Sequence, residues 1–154
     1  MNAPVTIRTY VEPDWPHLCA IHDAARQIEL ASAKITEAAF APFQKCAYQE
    51  GFFANKIIVA TRAENILGFA AYRPRQLTWL YVDPNNFSQG IGQKLIKHIL
   101  VHTERPLDVQ MLEGNQRAQR LYEFMGFAVH KRTKGKIQGR KPVEATGLTL
   151  RLNH

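Results

Sequence analysis

Two hydrophobic periodicities follow one another along the chain. Alternation of apolar and polar residues, or a short β-branched run between turn residues, predicts a strand, whereas apolar residues three and four positions apart predict a helix. Strands are predicted at 5–11, 56–61, 66–72, 76–82, 108–112, 127–132 and 145–152, and helices from residue 13 onward, at 36–43, at 90–102 and at 115–125. This order of elements is typical of a mixed α/β layer architecture.

Capping and turn residues mark the ends of several elements. Pro13 and Asp14 suit the first turn of a helix, where a missing N–H costs nothing and an acidic group meets the positive end of the helix dipole. Thr36 is placed to cap the second helix. Gly126 can end the last helix in the left-handed conformation. Pro84 stops the strand at 76–82, because it has no N–H to donate.

Length and composition indicate one globular domain. The chain has 154 residues, of which 45% are hydrophobic and 21% charged, so a disordered chain is excluded and a single domain over 1–154 is expected. No apolar run approaches the roughly 20 residues that span a bilayer, and no signal peptide is recognisable at the N-terminus. Cys19 and Cys46 have no metal-ligand spacing, so we expect reduced thiols, no metal and a cytoplasmic protein.

The net charge of +7 favours anionic partners. Nucleic acid and a phosphate-rich cofactor are both candidates. Part of the positive charge is clustered near the C-terminus, at Lys131, Arg132, Lys134, Lys136, Arg140 and Lys141. Such a run is more often a solvated hairpin than a binding surface, and a solvated hairpin is predicted here.

The sharpest feature is the turn between a predicted strand and the helix that follows it. The strand ends in Val82-Asp83-Pro84, and Gly90 and Gly92 open the helix. Glycines let backbone N–H groups approach a ligand closely, and the unpaired donors of a helix start suit a pyrophosphate. Leu95 stands where a dinucleotide fingerprint needs a third glycine or alanine, and the Gly-Lys-Ser/Thr ending of a P-loop is absent. A tight turn without a ligand is the alternative.

The next helix carries a second group of candidate functional residues. Asn115 stands at its start and Tyr122 on its apolar stripe, with Ala118 between them and Gly126-Phe127 at the end. Asn115 has an ordinary role as an N-cap, and a tyrosine on an apolar stripe is more often a core aromatic than a catalyst. In the functional alternative, the Tyr122 phenol reaches the open end of the sheet and donates a proton to a leaving thiolate.

Together, the two groups resemble the signature of the GNAT N-acetyltransferases. The run Leu80-Tyr81-Val82-Asp83-Pro84 with Gln89-Gly90-Ile91-Gly92 is similar to the acyl-CoA pyrophosphate motif of that family. The run Asn115-x-x-Ala118-x-x-x-Tyr122-x-x-x-Gly126-Phe127 is similar to its second motif. The resemblance implies a GNAT-like, mixed and mostly antiparallel central sheet of about six to seven strands with about four helices on its faces.

The resemblance also implies roles for individual residues. In the family, strand backbone groups pair with the pantetheine arm of acetyl-CoA, amides of the glycine turn hold the pyrophosphate, and an asparagine contacts the CoA arm. Carried over, the residues expected to bind acetyl-CoA are Leu80, Tyr81, Val82, Ser88, Gln89, Gly90, Ile91, Gly92, Gln93 and Asn115. Tyr122 is the expected general acid. We expect direct transfer to a primary amine, because no cysteine or serine is flanked by an obvious base.

Two departures from the family pattern affect this expectation. Phe87 stands where the family usually has Arg or Gln, which removes one polar contact with CoA and leaves the backbone cradle intact. Some members use a glutamate on the preceding strand as a base, but this strand carries no carboxylate before Asp83. An amine with a pKa of about 10.4 must nevertheless lose a proton. His22, Glu29 and Glu113 are the candidate bases, directly or through water, although such residues are more often solvated helix residues.

Two other functions fit parts of the pattern. A non-catalytic acyl-CoA-binding module would keep the glycine turn and lose the acid, so Tyr122 argues against it and Phe87 argues weakly for it. A small basic nucleic-acid-binding domain would explain the charge, but the basic residues are not interleaved with exposed aromatics in a recognisable module. The expected partners are therefore a small-molecule or protein amine acceptor, with nucleic acid disfavoured, no membrane, and a homodimer left open.

Overall fold

Seven strands form one sheet in the computed structural model, which describes residues 3–154. The strands are β1 (Val5–Thr9), β2 (Lys56–Arg62), β3 (Asn65–Arg73), β4 (Gln76–Val82), β5 (Leu107–Leu112), β6 (Ala128–Gln138) and β7 (Pro142–Leu152). The α-helices of this part of the chain are α1 (Trp15–Ser32), α2 (Phe43–Cys46), α3 (Ile91–Val101) and α4 (Gln116–Phe124). No helix within residues 3–154 combines the length and the apolar composition needed to cross a membrane.

The strand order is β1-β2-β3-β4-β5-β7-β6. All neighbouring strands are antiparallel except β4 and β5, which run parallel and are joined through α3. The predicted mixed, mostly antiparallel sheet with helices on its faces is therefore confirmed.

The central strands are apolar on both faces, because each face packs into its own core. On β2, Ile58 and Ala60 belong to the cluster that includes residues of α3 and α4, whereas Ile57 and Val59 belong to the cluster with α1 and α2. Successive side chains of a strand point to opposite faces, so a strand between two helix layers must be apolar at both sets of positions. The helices are thus divided between the faces, with α1 and α2 on one and α3 and α4 on the other.

The prediction of one helix over residues 36–43 is wrong in its extent. Thr36 does act as a cap, since its hydroxyl accepts a hydrogen bond from the Ala38 N–H at 3.4 Å, but the turn is a 3₁₀ helix that covers only Glu37–Ala39. Pro42 explains the break, because proline has no N–H and disfavours helical backbone at the residue before it. The chain is extended there, and α2 begins at Phe43.

The C-terminal hairpin is longer than predicted. β6 and β7 remain paired out to Gln138 and Pro142. Apart from the half-buried Ile137, the outer half of β6 is exposed and polar, so it offers no alternating apolar pattern. Its basic residues are exposed, and Lys131 and Lys136 also line a cavity. The tip of the hairpin packs on the 3₁₀ helix. The Lys141 N–H donates to the Ala38 carbonyl at 3.3 Å, and Gly139 lies so close that a Cβ would clash with backbone.

Candidate active site

The parallel strands β4 and β5 separate after a very short paired segment. Gln76 lies opposite Asp108 and Leu77 opposite Val109, and within residues 3–154 no further pairs join the two strands. Each strand nevertheless stays paired with its other neighbour along its length. The facing edges of two central strands therefore diverge into a wedge with unpaired backbone groups, which an extended ligand can use.

A cavity of about 1030 Å³ opens at this wedge. Its walls come from the second half of α1, the ends of β4 and β5, the starts of α3 and α4, and the β6–β7 hairpin. The predicted site residues that line it are Leu80, Tyr81, Val82, Ser88, Gly90, Ile91, Gly92, Gln93, Asn115 and Tyr122. Gln89 does not line it, and its side-chain oxygen accepts a hydrogen bond from Arg62 at 3.1 Å. The structure thus brings together residues that the two sequence motifs hold far apart.

The glycine turn presents free backbone donors to the cavity. Ser88 and Gly90 both have left-handed φ angles, of 63° and 79°, which turn the chain from β4 into α3. Gly90 is the N-cap of α3 and has no side chain to fill the helix end. The first three N–H groups of α3 have no intrahelical acceptor, so they remain available to an anion. A Cβ at Gly92 would lie 2.8 Å from a methyl group of Leu121, so a larger residue there would require the Leu121 side chain to shift.

Phe87 holds a cation beside this turn. The guanidinium carbon of Arg117 lies 4.1 Å from the centroid of the Phe87 ring, which is a cation–π contact. Both side chains line the cavity. The position at which the family usually has Arg or Gln therefore carries a ring that supports an arginine from α4. Sequence reasoning missed Arg117, because only the fold places it next to Phe87.

Tyr122 lies in the cavity wall with its ring in the core. Its side chain is buried and packs edge-on against Phe127, with ring centroids 5.8 Å apart. Its hydroxyl makes no hydrogen bond with the residues that the structure describes. Burial, together with the charge of Glu29, raises the pKa of Tyr122. The phenol is therefore protonated at neutral pH, as a proton donor must be, although it is a weaker acid than free tyrosine.

Glu29 connects three elements in the cavity wall. One of its carboxylate oxygens accepts hydrogen bonds from Arg26 and from the Tyr81 hydroxyl, the latter at 3.2 Å, and the other accepts from the Asn115 side-chain amide at 3.1 Å. Asn115 also caps α4, since its side-chain oxygen accepts from the Ala118 N–H at 3.3 Å. The predicted cap is confirmed. The contact of Asn115 with CoA stays a prediction, for which its second amide N–H is available.

The three candidate bases differ in their placement. Glu113 forms a two-point ion pair with Arg132, at 2.6 and 2.8 Å, and does not line the cavity. This contact lowers the pKa of Glu113, so the carboxylate is both misplaced and weakly basic. His22 and Glu29 both line the cavity. Among residues 3–154, no group of three or more His, Cys, Asp or Glu side chains is arranged to hold a metal ion.

Solved structures show the same fold in acetyltransferases. A GCN5-related N-acetyltransferase from Rhodopseudomonas palustris has a TM-score of 0.78 and 21% identity, with 99% of this chain and 98% of that chain covered. The Brucella melitensis ribosomal-protein-alanine N-acetyltransferase has a TM-score of 0.62 and 21% identity, with coverages of 96% and 99%. The protein yncA from Salmonella typhimurium, solved with its cofactor acetyl-CoA, has a TM-score of 0.63 and 17% identity, with coverages of 97% and 95%.

The family of the chain is identified by its amino-acid sequence. No curated protein sequence is significantly similar to the chain. A sequence model of the acetyltransferase (GNAT) domain, however, matches residues 53–129, which is half of the chain. The matched segment contains the diverging strands, the glycine turn and the helix of Tyr122. The chain therefore belongs to the GNAT acetyltransferase family.

Proposed function

We propose that this protein transfers an acetyl group from acetyl-CoA directly to a primary amine. The observation that carries the proposal is the wedge between β4 and β5, whose cavity contains both a helix start without a side-chain cap and the Tyr122 phenol. A thioester on a long phosphorylated arm needs these three features together, namely an extended binding edge, an anion site and a proton donor. The acetyl-CoA bound to the similarly folded Salmonella typhimurium protein supports this choice of donor.

Acetyl-CoA is expected to lie along the wedge. Its pantetheine arm would pair with the backbone of residues 80–82 on the open edge of β4, and its pyrophosphate would accept hydrogen bonds from the first N–H groups of α3. The Arg117 guanidinium would add a positive charge beside the phosphates. The net charge of +7 also attracts this anionic substrate over a longer range.

The proposed reaction needs a proton to leave the nitrogen and another to reach the sulfur. The neutral amine attacks the thioester carbonyl carbon, the carbon–sulfur bond breaks, and the sulfur leaves as a thiolate that takes a proton from Tyr122. A backbone N–H on the open edge of β4 would polarise the carbonyl. The products are an acetamide and the free CoA thiol. The Tyr122 phenolate then regains a proton from water, which balances the proton that the nitrogen loses.

Neither cysteine is suited to form an acetyl-enzyme. Burial raises the pKa of Cys19 to about 11 and that of Cys46 to about 12. The thiolate is the nucleophilic form of cysteine, so both residues are almost fully in the unreactive thiol form at neutral pH. This supports direct transfer between the two substrates in one cavity.

Calorimetry and an amine screen test the proposal. We expect acetyl-CoA to bind and NAD not to bind, and we expect thiol release from acetyl-CoA to depend on a primary amine. Tight binding of acetyl-CoA without thiol release over a broad amine panel would instead favour a non-catalytic acyl-CoA-binding module. If the protein does not bind acetyl-CoA but shifts the electrophoretic mobility of nucleic acid in a salt-dependent way, a nucleic-acid-binding domain is favoured instead.

A further inference from the structure

His22 is held between two aromatic rings in the cavity wall. It is 4% exposed and stacks on Phe43, with ring centroids 4.2 Å apart and ring planes within 15°. The ring of Tyr81 meets it edge-on at a centroid distance of 4.9 Å. These contacts fix the plane of the imidazole, while the residue still lines the cavity in which the acceptor must bind.

Asp23 determines which nitrogen of this ring carries the proton. Nδ1 of His22 lies 2.9 Å from Oδ1 of Asp23. An ionised carboxylate can only accept hydrogen bonds, so Nδ1 is the donor. The same oxygen accepts the Phe43 N–H at 2.9 Å, which ties it to the start of α2. In the neutral ring, Nε2 therefore keeps a free lone pair, and no residue in the described part of the chain donates to it.

Burial outweighs the surrounding charges and favours the neutral ring. Burial lowers the pKa of His22, and the hydrogen bond to Asp23 opposes that shift in part. Arg26 and Glu29 on the same helix act in opposite directions and are hydrogen-bonded to each other. From β4 the ring meets Tyr81, whose own pKa is raised by burial, and α2 contributes a phenyl ring that does not titrate. At pH 7 the imidazole can therefore accept a proton.

We propose that Nε2 of His22 is the general base that takes the proton from the acceptor amine, and that Asp23 is its positioning residue. The inference rests on the acetyl transfer proposed above and names the group that removes the amine proton. Glu29 lines the same cavity, but its carboxylate already accepts three hydrogen bonds. As the nitrogen attacks, its proton moves to Nε2, and the Nδ1 proton stays in the bond to Asp23. The carboxylate stabilises the imidazolium, which returns its proton to water when the products leave.

Substitutions at residue 22 provide the first test, with a matched histidine as the control. His22→Asn keeps an N–H donor for Asp23 and removes the acceptor at Nε2, whereas His22→Ala leaves a space that free imidazole can enter. With acetyl-CoA and the best amine of the panel at saturation, we expect single-turnover rates to fall by about 10²–10⁴-fold in both variants. Added imidazole should restore part of the rate in His22→Ala only. His17→Ala, on the exposed side of the same helix, should match the wild type.

Asp23→Asn tests the positioning role through the pH dependence of kcat, which a purely structural role of Asp23 would leave unchanged. In the wild type, kcat should fall as the pH drops through the pKa of His22, which lies below the ordinary value of 6.5. Because the Asp23 charge raises that pKa, its removal should shift this acid limb to lower pH. In addition, ¹⁵N NMR of the wild-type imidazole at pH 7 should show a protonated Nδ1 and an unprotonated Nε2, and this measurement needs no acceptor.

The outcomes separate this inference from the proposed function. An active wild type combined with a fully active, folded His22→Asn variant would overturn the role of His22 and leave the acetyl transfer standing. A ring that is protonated at Nε2 or charged at pH 7 would overturn it as well. A wild type that releases no thiol with any amine would refute the acetyl transfer, and the inference with it.

Discussion

Tyr122→Phe is the substitution that best separates chemistry from folding. It removes a hydroxyl that makes no hydrogen bond with residues 3–154 and keeps the ring that packs edge-on against Phe127. Because no partner is left unsatisfied, the free energy of unfolding should change by less than about 1 kcal/mol. Acetyl-CoA affinity should also be kept, since none of the proposed binding contacts involves the Tyr122 hydroxyl.

The rate effect follows from the proton that the phenol supplies. General acid catalysis contributes about 10²–10⁴-fold, which corresponds to about 2.7–5.4 kcal/mol of barrier. Free tyrosine and a free thiol differ by about 1.5 pKa units, so full transfer to the thiolate is already uphill by about 2 kcal/mol. The raised pKa of Tyr122 increases this cost. Burial of the thiolate in the same cavity raises its pKa too and compensates in part. We therefore expect a loss nearer to about 10²-fold.

The assay is a single-turnover measurement of thiol release, because slow product release would hide part of the loss in kcat. Tyr72→Phe is the matched control. Tyr72 is equally buried, and burial raises its pKa, but it does not line the cavity, so its variant should keep the wild-type rate. A folded Tyr122→Phe variant with an unchanged single-turnover rate would show that the thiolate leaves unprotonated or that another group protonates it. A variant that is slow and has a lowered Tm would show a packing role instead.

Three further substitutions test other parts of the structure. Arg117→Ala should weaken acetyl-CoA binding about tenfold in calorimetry at low salt, and by less at high salt, because the lost charge is screened. Gly139→Ala should lower stability by about 1–3 kcal/mol in denaturant titrations, since its Cβ would lie 2.6 Å from the Ala38 carbonyl and force the hairpin tip away. Asp14→Asn should cost about 1 kcal/mol at pH 7. The hydrogen bonds from Arg8 lower the pKa of Asp14. The stabilisation by the ionised Asp14 is therefore fully present above about pH 4 and is lost as the pH falls through the lowered pKa. The Tm difference between the variant and the wild type should accordingly shrink toward about pH 2.

The fold could be predicted from the sequence where burial leaves a periodic pattern. The strands β2 to β4 and the helices α3 and α4 carry apolar residues because they pack in the cores, and their ends carry local signals such as the Asn115 cap and the left-handed Gly126, with a φ of 101°. The outer half of the β6–β7 hairpin could not be predicted, because it is held by cross-strand backbone bonds and a contact with the chain near Ala38. Neither interaction requires an apolar pattern.

The candidate site could be predicted from the sequence only in part, for a similar reason. Gly90 and Tyr122 lie in motifs whose residues are close in sequence. The pairing of Phe87 with Arg117 joins two elements, and no spacing indicates it. His22 and Asp23 are adjacent in sequence, yet residues one apart on a helix normally face different directions. They are nevertheless hydrogen-bonded here, and the Phe43 N–H donates to the same carboxylate oxygen.

The proposed acid and the proposed base come from helices on opposite faces of the sheet. His22 projects from α1 on one face, and Tyr122 projects from α4 on the other. Over most of its area, the sheet would keep two such groups apart. At the wedge, β4 and β5 no longer pair, and both side chains line the same cavity. A thioester lying between the strands would then have its sulfur accessible from the side of Tyr122 and the attacking nitrogen accessible from the side of His22. The separation of two parallel strands thus places the proposed acid and the proposed base in the wall of one cavity, although their helices lie on opposite faces of the sheet.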